Sequence, residues 1–464
     1  MSTKREGQSM NVYILSQHSL GVGHLSRTSL LASEMAKTPG VSVVHISCGP
    51  PVGIIPSHPD VSLVELPPLV VKGMSSTELV PLETGKTRED VEKVRVDTIA
   101  ALFRERRPDM FITEFFPFSP HRLDGTVLPV LGLIKKTYPD CAILCSSRDI
   151  PICHREVIHA GLVARITSIL DTYYDLLLVH SDPAVVRLMD IPKYRALKPS
   201  CPVVYTGYIC ERRETAPHPA STVGRRILVT VGGGRDGYRV VESAVTVAAR
   251  KGGYWFDIVC GPFMEKGRVD EMDRRAGRLS NTRLFRSVHN LRETIGGYDL
   301  VICSGGYNTL IETIIRRKRC ISIPRAGSYE QAKRVGMFSA KGLVAPILES
   351  RLTARGLSRL IEEVLAADYR PAAAINTDGL KNTLAVIRHA LSSGVGGIPV
   401  PGTTTPSLFA ASLRKEINES DGEGFLADRR GAERPNVLDV HDLFATKRAD
   451  KKTSQMAHLF SDEP

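Results

Sequence analysis

Short apolar runs alternate with glycine-bearing turns and periodic amphipathic stretches along most of this chain. The run VYIL (12–15) leads into the polar segment SQHSLGVGHLSR (16–27), and a helical period of apolar positions continues to Met35. Further strand patterns occur at VSVVHIS (41–47), DMFITEFF (109–116), CAILCSSRDI (141–150), DLLLVHS (175–181) and PVVYTGYI (202–209), with a charged helical stretch over 86–106. After a proline-bearing stretch from Arg212 to Gly224 the rhythm restarts with RILVTV (226–231), a glycine loop and a helix from Tyr238 to about Arg250. Strands follow at FDIVCG (256–261), TRLF (282–285), DLVICS (299–304) and CISIP (320–324), and helices over roughly 329–342, 353–366 and 376–392. Continuous apolar strands alternating with helices predict parallel sheets covered on both faces. The expected fold class is α/β: two successive Rossmann-like, doubly wound domains with a ligand cleft between them. The boundaries read as a leader (1–9), a first domain (10–211), a linker (212–225), a second domain (226–392) and a flexible, polar tail (393–464).

Composition changes this picture little: 42% hydrophobic and 24% charged residues suit globular cores. A single Trp and 6% aromatic residues argue against a carbohydrate-binding module built on aromatic platforms. The nine cysteines are scattered, form no C-x-x-C, and in several cases fall inside apolar strand patterns. That usage fits a reducing cytoplasm better than a disulfide framework or a zinc site. Residues 1–10 are polar and charged, and no apolar stretch approaches the ~20 residues that span a bilayer, so a cytoplasmic location is expected. The formal charge of +11 is uneven: residues 396–464 hold 9 Lys/Arg and 11 Asp/Glu, leaving about +13 on the rest. An anionic small ligand such as a nucleotide sugar satisfies that balance, and neither nucleic acid nor a membrane surface is required by it.

Four turns, each after a strand, carry the candidate chemistry. In Gly21-Val22-Gly23-His24-Leu25-Ser26-Arg27 the spacing is not that of a dinucleotide fingerprint, because position 26 is Ser. Its informative residue is His24, which reads either as a base taking a proton from a hydroxyl or water, or as a histidine capping its helix. Gly232-Gly233-Gly234-Arg235 opens the second domain and suits a diphosphate held by backbone amides, although a glycine turn without a ligand reads equally well. Ser304-Gly305-Gly306-Tyr307-Asn308-Thr309 ends a strand and starts a helix. There Asn308 and Thr309 are placed to cap or to bind phosphate, and Glu312 to accept ribose hydroxyls or merely to complement the helix dipole. Last, Glu330-Gln331 follows the loop Pro324 to Tyr329 and could face sugar hydroxyls.

In this order the motifs resemble the GT-B glycosyltransferases related to the bacterial enzyme that adds N-acetylglucosamine to the peptidoglycan lipid intermediate, a family 28-like group. Within it the chain looks most like the bacterial predicted glycosyl transferases. The supporting residues are GVGHLSR, ITEFFPFSPHRL (112–123), SSRDIP (146–151), YDLVICSGGYNTLIETI and ISIPRAGSYEQAKRVGMFSAKGLV (321–344), within a likeness spanning about residues 10–390. The resemblance implies a nucleotide-diphosphate sugar, usually a UDP-sugar, held by the second domain. Glu312 would bind the ribose, and Gly233, Gly234, Asn308 and Thr309 would line the diphosphate beside Gly305, Gly306 and Arg235. Glu330 and Gln331 would face the sugar, and Val288 in the loop Ser287 to Leu291 would border the base. The first domain would hold the acceptor, with Gly23 and His24 near the reacting centre and Glu114, Arg148 and Asp149 on the acceptor side. No cofactor and no metal are implied, since the nucleotide sugar is a substrate and helix N-termini with Arg235 would do a metal's work.

One departure stands out: Arg316-Arg317-Lys318-Arg319 replaces a glycine commonly found after the signature helix. The expected activity is hexosyl transfer to an unnamed acceptor, lipid, glycan or small molecule, with a peripheral membrane contact if the acceptor is a lipid. Two alternatives remain open at this level: a nucleotide-sugar hydrolase using the same histidine turn, and a non-catalytic nucleotide-sugar-binding protein. Stretches 66–90 and 115–135 read as inserts that would build an acceptor pocket and so favour transfer.

Overall fold

A computed structural model describes residues 9–18, 23–51, 58–72, 78–118, 123–151, 160–211, 224–288, 291–368 and 375–393. The expected leader, most of the linker and the tail lie outside these residues, as do Gly21 and Val22 of the first turn. The first half forms β1 (Met10–Ser16), β2 (Val41–Ser47), β3 (Val61–Glu65), β4 (Leu69–Val71), β5 (Leu79–Pro81), β6 (Met110–Glu114), β7 (Ala142–Arg148), β8 (Leu176–His180) and β9 (Val203–Tyr205). Seven of these make a parallel sheet in the order β3-β2-β1-β6-β7-β8-β9, while β4 and β5 form a separate antiparallel pair. The second half forms β10 (Arg225–Thr230), β11 (Tyr254–Val259), β12 (Thr282–Phe285), β13 (Leu300–Cys303), β14 (Arg319–Ser322) and β15 (Ala345–Pro346), ordered β12-β11-β10-β13-β14-β15. Both sheets therefore reverse direction beside their first strand, between β1 and β6 and between β10 and β13. Such switch points open a crevice at the carboxyl ends of the strands.

Helices cover both faces. They are α1 (Gly23–Ala36), α2 (Arg88–Glu105), α3 (Asp124–Thr137) and α4 (Ala160–Tyr173) in the first half, then α5 (Tyr238–Ala248), α6 (Lys266–Ala276), α7 (Leu291–Thr294), α8 (Tyr307–Ile315), α9 (Tyr329–Ser339), α10 (Ala354–Ala366) and α11 (Gly379–Ser393). The uniformly apolar strand patterns are uniformly buried, as at β6 and β8, because both faces of each sheet are covered. Local signals set several helix ends. Thr87 and Asp90 form a reciprocal capping box at α2, and Thr353 accepts from the Gly356 amide at α10. At the end of α8 the Arg317 amide donates to Ile314 and the Lys318 amide to Thr313, at 2.9 and 3.1 Å, with Arg317 at φ 52°. This is the Schellman arrangement, and Arg317 occupies the left-handed position that usually takes glycine. The basic run thus closes α8 with an arginine in a turn where glycine is usual.

Two features differ from the linear pattern. Residues 115–135 are not an insert: most of them enter α3, an ordinary crossover helix between β6 and β7 that buries Val127, Val130, Leu131 and Ile134. Gly125, Pro129 and Gly132 within that stretch mask its helical period. In addition, α11 lies last in the second half but packs on the first sheet. Its Leu384, Val386, Ile387 and Ala390 share one core with Val12, Ile14, Leu31 and Met35. The chain thus crosses between the halves twice, and the crossings run side by side: the Tyr208 amide donates to Asn376 at 2.8 Å and the Gly379 amide to Tyr208 at 3.2 Å.

Candidate functional site

The carboxyl ends of both sheets face one cavity of about 360 Å³. Its first-domain wall comes from the turns after β1, β6 and β7, which supply Gln17, His18, Gly23, His24, Phe115 and Arg148. The second-domain wall comes from residues 230–237 at the end of β10, Ser304 and 306–309 after β13, and Arg325, Glu330 and Gln331 after β14. Both walls are strand ends, where parallel sheets deliver side chains that need not pack in a core.

On the first wall, β1 and the start of α1 place His24 against the last residue of β6. His24 Nδ1 lies 2.5 Å from Glu114 Oε1, and Arg27 donates to the same buried oxygen. Arg148, the last residue of β7, donates from Nη2 to His24 Nε2. A guanidinium only donates, so Nε2 holds the lone pair and the imidazole proton sits on Nδ1, facing the carboxylate. Burial, aided by Arg148, pushes His24 below the usual histidine range against the pull of Glu114, in keeping with the lone pair on Nε2. Burial alone would raise the Glu114 carboxyl, but His24, Arg27 and Arg148 outweigh it and hold it at about 2. Phe115, which follows Glu114 with φ 69°, sets its ring edge-to-face on His24 at 5.3 Å.

On the second wall the glycine loop and α8 form a cradle of backbone amides. A Cβ at Gly234, which has φ 90°, would come within 2.1 Å of the Cys260 carbonyl, so no larger residue fits that turn. The N-cap of α8 is Gly306, with no side-chain cap, which leaves first-turn amides directed at the cavity. Gly305 is required for a different reason: a Cβ there would stand 2.7 Å from Val335 and 3.0 Å from Gln331, because α9 packs directly on this turn. Asp236 of the glycine loop pairs with Arg325 at 2.9 Å, and the Arg325 amide donates to Gln331 Oε1 at 2.9 Å.

Charged groups also join the two walls. Arg148 Nη1 reaches Glu330 Oε1 at 3.1 Å. Fully buried Arg334 forks onto Asp149 at 2.6 and 2.7 Å and also donates to Glu330 at 2.6 Å and to the Gly305 carbonyl at 2.9 Å. Burial would raise Glu330 too, yet Arg148 and Arg334 hold it at about 2. Tyr307 completes the join, donating to the His180 carbonyl and accepting from the Ile209 amide, both at 2.9 Å.

Of the residues expected at the site, Gly23, His24, Arg148, Gly233, Gly234, Arg235, Gly306, Asn308, Thr309, Glu330 and Gln331 line this one cavity. Glu114, Asp149 and Gly305 stand directly behind it, each in contact with a lining residue or its support. Glu312 is buried one turn beyond Thr309 and ion-pairs with Arg316, and neither it nor Val288 is part of the lining. The capping expected of Asn308 and Thr309 is not what the helix shows. Gly306 is the cap, and Asn308 Nδ2 instead donates to the Gly23 carbonyl of the first domain at 3.2 Å, since α1 and α8 meet N-terminus to N-terminus. Sequence reasoning missed Arg27, Tyr307, Arg325 and Arg334. The spacing of four between Glu330 and Arg334 was a readable helical pair; the others pair across folds in the chain that no local pattern announces. Among the described residues no three His, Cys, Asp or Glu side chains gather as metal ligands, and the eight described cysteines are buried and free of disulfides.

Residues 226–387 match the family model of the glycosyltransferase family 28 C-terminal domain. A curated relative is the UDP-N-acetylglucosamine–N-acetylmuramyl-(pentapeptide) pyrophosphoryl-undecaprenol N-acetylglucosamine transferase of Bacillus cytotoxicus, 30% identical over 159 residues. That match covers 33% of this chain and 41% of the relative, so the chain spans about two fifths of the curated relatives' length. Among solved structures, MurG of Acinetobacter baumannii superposes with a TM-score of 0.51 at 11% identity, covering 82% of this chain and 99% of that one. A putative UDP-N-acetylglucosamine 2-epimerase of Listeria monocytogenes does so at 0.53 and 11%, covering 82% and 96%. At such identity the two structures speak for the fold alone. Residues 226–387 thus resemble the glycosyltransferase family 28 C-terminal domain, and the two facing α/β domains have the GT-B fold.

Proposed function

We propose that this chain transfers a hexosyl group from a nucleotide-diphosphate sugar, in the first instance a UDP-sugar, to an acceptor hydroxyl bound on the first-domain wall. The observation that carries the reading is one cavity in which His24, backed by Glu114, faces the amide cradle of Gly233, Gly234 and α8. In the reaction the acceptor's O–H proton passes to His24 Nε2 as its oxygen bonds to the anomeric carbon. The bond from that carbon to the diphosphate oxygen breaks, and the electron pair leaves with the nucleoside diphosphate. Glu114 orients the ring and stabilises the imidazolium; the α8 N-terminus, the glycine-loop amides and Arg235 stabilise the departing charge. Glu330 and Gln331 hold the sugar, and a metal has no part. The name of the Bacillus relative gives UDP-N-acetylglucosamine as that protein's donor and an undecaprenol-linked acceptor. With a lipid-linked acceptor the present chain would work against a membrane face, since among the described residues no helix is long and apolar enough to cross one.

The test is a panel of UDP-, GDP- and TDP-sugars, with nucleotide release followed with and without EDTA. Release that resists EDTA is expected from wild type. His24→Asn should lower it by about 10²–10⁴-fold while calorimetry shows donor affinity kept. Full-rate release from His24→Asn would sink the proposed base. Release blocked by EDTA would overturn the metal-free part. Free sugar formed without any acceptor at about 1 per second or faster would make the protein a hydrolase instead.

A further inference from the structure

The nitrogen on which the acceptor's proton must land is already taken. His24 Nε2 accepts from Arg148, whose other terminal nitrogen is anchored on Glu330 across the cleft. Two arginines share that Glu330 oxygen, and they differ in how firmly they are held. Arg334 is fully buried and has partners on all three guanidinium nitrogens. Arg148 has an 11% exposed side chain at the cavity, and its Nε is buried without a hydrogen-bond partner among the described residues. If Arg148 swings away, Glu330 keeps Arg334 and Glu114 keeps Arg27, so no buried carboxylate is stranded. The first arginine is a fixed tie and the second an exchangeable one.

We propose that Arg148 is a positioning residue that guards His24: without donor it occupies the Nε2 lone pair, and sugar hydroxyls arriving at Glu330 displace it and free the base. This deepens the transferase reading and rests on its placement of the sugar at Glu330. A ligand can shift such an arrangement only through contacts that differ between its two states, and Glu330 supplies that contact. The guard confines base activation to the donor-loaded state, so the histidine does not abstract protons in an empty cleft. The charged groups facing His24 are Glu114 from β6, Arg27 from its own helix, Arg148 from β7 and, beyond Arg148, Glu330 from α9.

The experiment is a pH titration of the full chain labelled with 15N-histidine, with His24 assigned through a His24→Asn spectrum. It is run free, with UDP, and with UDP-N-acetylglucosamine. UDP carries the diphosphate charge but no sugar, so it controls for plain electrostatics. The guard predicts a His24 midpoint about one pH unit higher with UDP-N-acetylglucosamine than with UDP, a tenfold change in proton affinity. In Arg148→Met the midpoint should start high, and the sugar should move it no further than UDP does. Equal midpoints for the two wild-type complexes, with binding of both verified by calorimetry, would overturn the guard and leave the transferase reading standing. If neither probe binds, the donor reading falls, and the guard with it. A misfolded Arg148→Met costs nothing decisive, because the wild-type comparison judges the idea alone.

Discussion

Arg317 shows how much one backbone position can hide. It holds the left-handed turn that ends α8, where a side chain costs about 1 kcal/mol or more relative to glycine. Arg317→Gly should therefore raise the urea midpoint by an amount equivalent to about 1 kcal/mol without altering the slope of the transition. An unchanged or lower midpoint would mean that the arginine side chain makes up for the strain. His24 was legible at this scale because a strand followed by a glycine turn projects its residue into a cleft. Its tautomer was not, since that depends on Glu114, 90 positions away, and on Arg148, 124 away. Glu312 was legible as a first-turns carboxylate, and its pairing with Arg316, four residues on, was as readable a helical pair as Glu330 with Arg334.

Elements carry the join between domains. From the first side the end of β7 offers Arg148 and, one residue on, Asp149; from the second, α8 offers Tyr307 and Asn308, and α9 offers Glu330 and Arg334. Tyr329 and Met337 of α9 also pack against the first-domain core. Removing one partner of a buried fork leaves the other charge without water or counter-charge, at a cost of about 3–5 kcal/mol. Asp149→Asn and Arg334→Met should each destabilise by that order, and the double variant by clearly less than their sum. A double-mutant cycle on urea midpoints that came out additive would show the fork to be dispensable. The alternation of strands and helices was readable from apolar spacing alone, and the strands of both parallel sheets fell where expected except the edge strands β3 and β15, and the short β4 of the separate pair was missed as well. Those have too few buried positions to show a pattern, and α3 was hidden by its glycines and proline.

At the scale of the whole molecule, the cluster between the domains ties stability to acidity. Glu114 and Glu330 are each held at about 2, against an ordinary 4.5. Between those values the unfolded chain binds protons that the folded chain does not. Their contribution is therefore complete above 4.5 and is lost as pH falls from there through about 2. Urea midpoints measured down that range should drop steeply for wild type. A Glu114→Gln, Glu330→Gln double variant should start lower at neutral pH but decline less over the same interval; parallel declines would place the acid sensitivity elsewhere. The two-domain plan was visible in the sequence as a rhythm that stops and restarts. The return of α11 to the first sheet was not, because an amphipathic helix does not state which core its apolar stripe will meet.

That return has a consequence for how the protein is made. The second domain is, in effect, inserted into the first, whose own last piece is α11. On the ribosome the first sheet emerges early, yet the core that α1 begins on one of its faces stays incomplete until residues 379–393 follow the entire second domain. Long-range closure of this kind is slow and leaves apolar surface open in the meantime. The first domain to be synthesised is the last to be finished, and a chain stalled before α11 would carry its aggregation hazard on the domain that came out first.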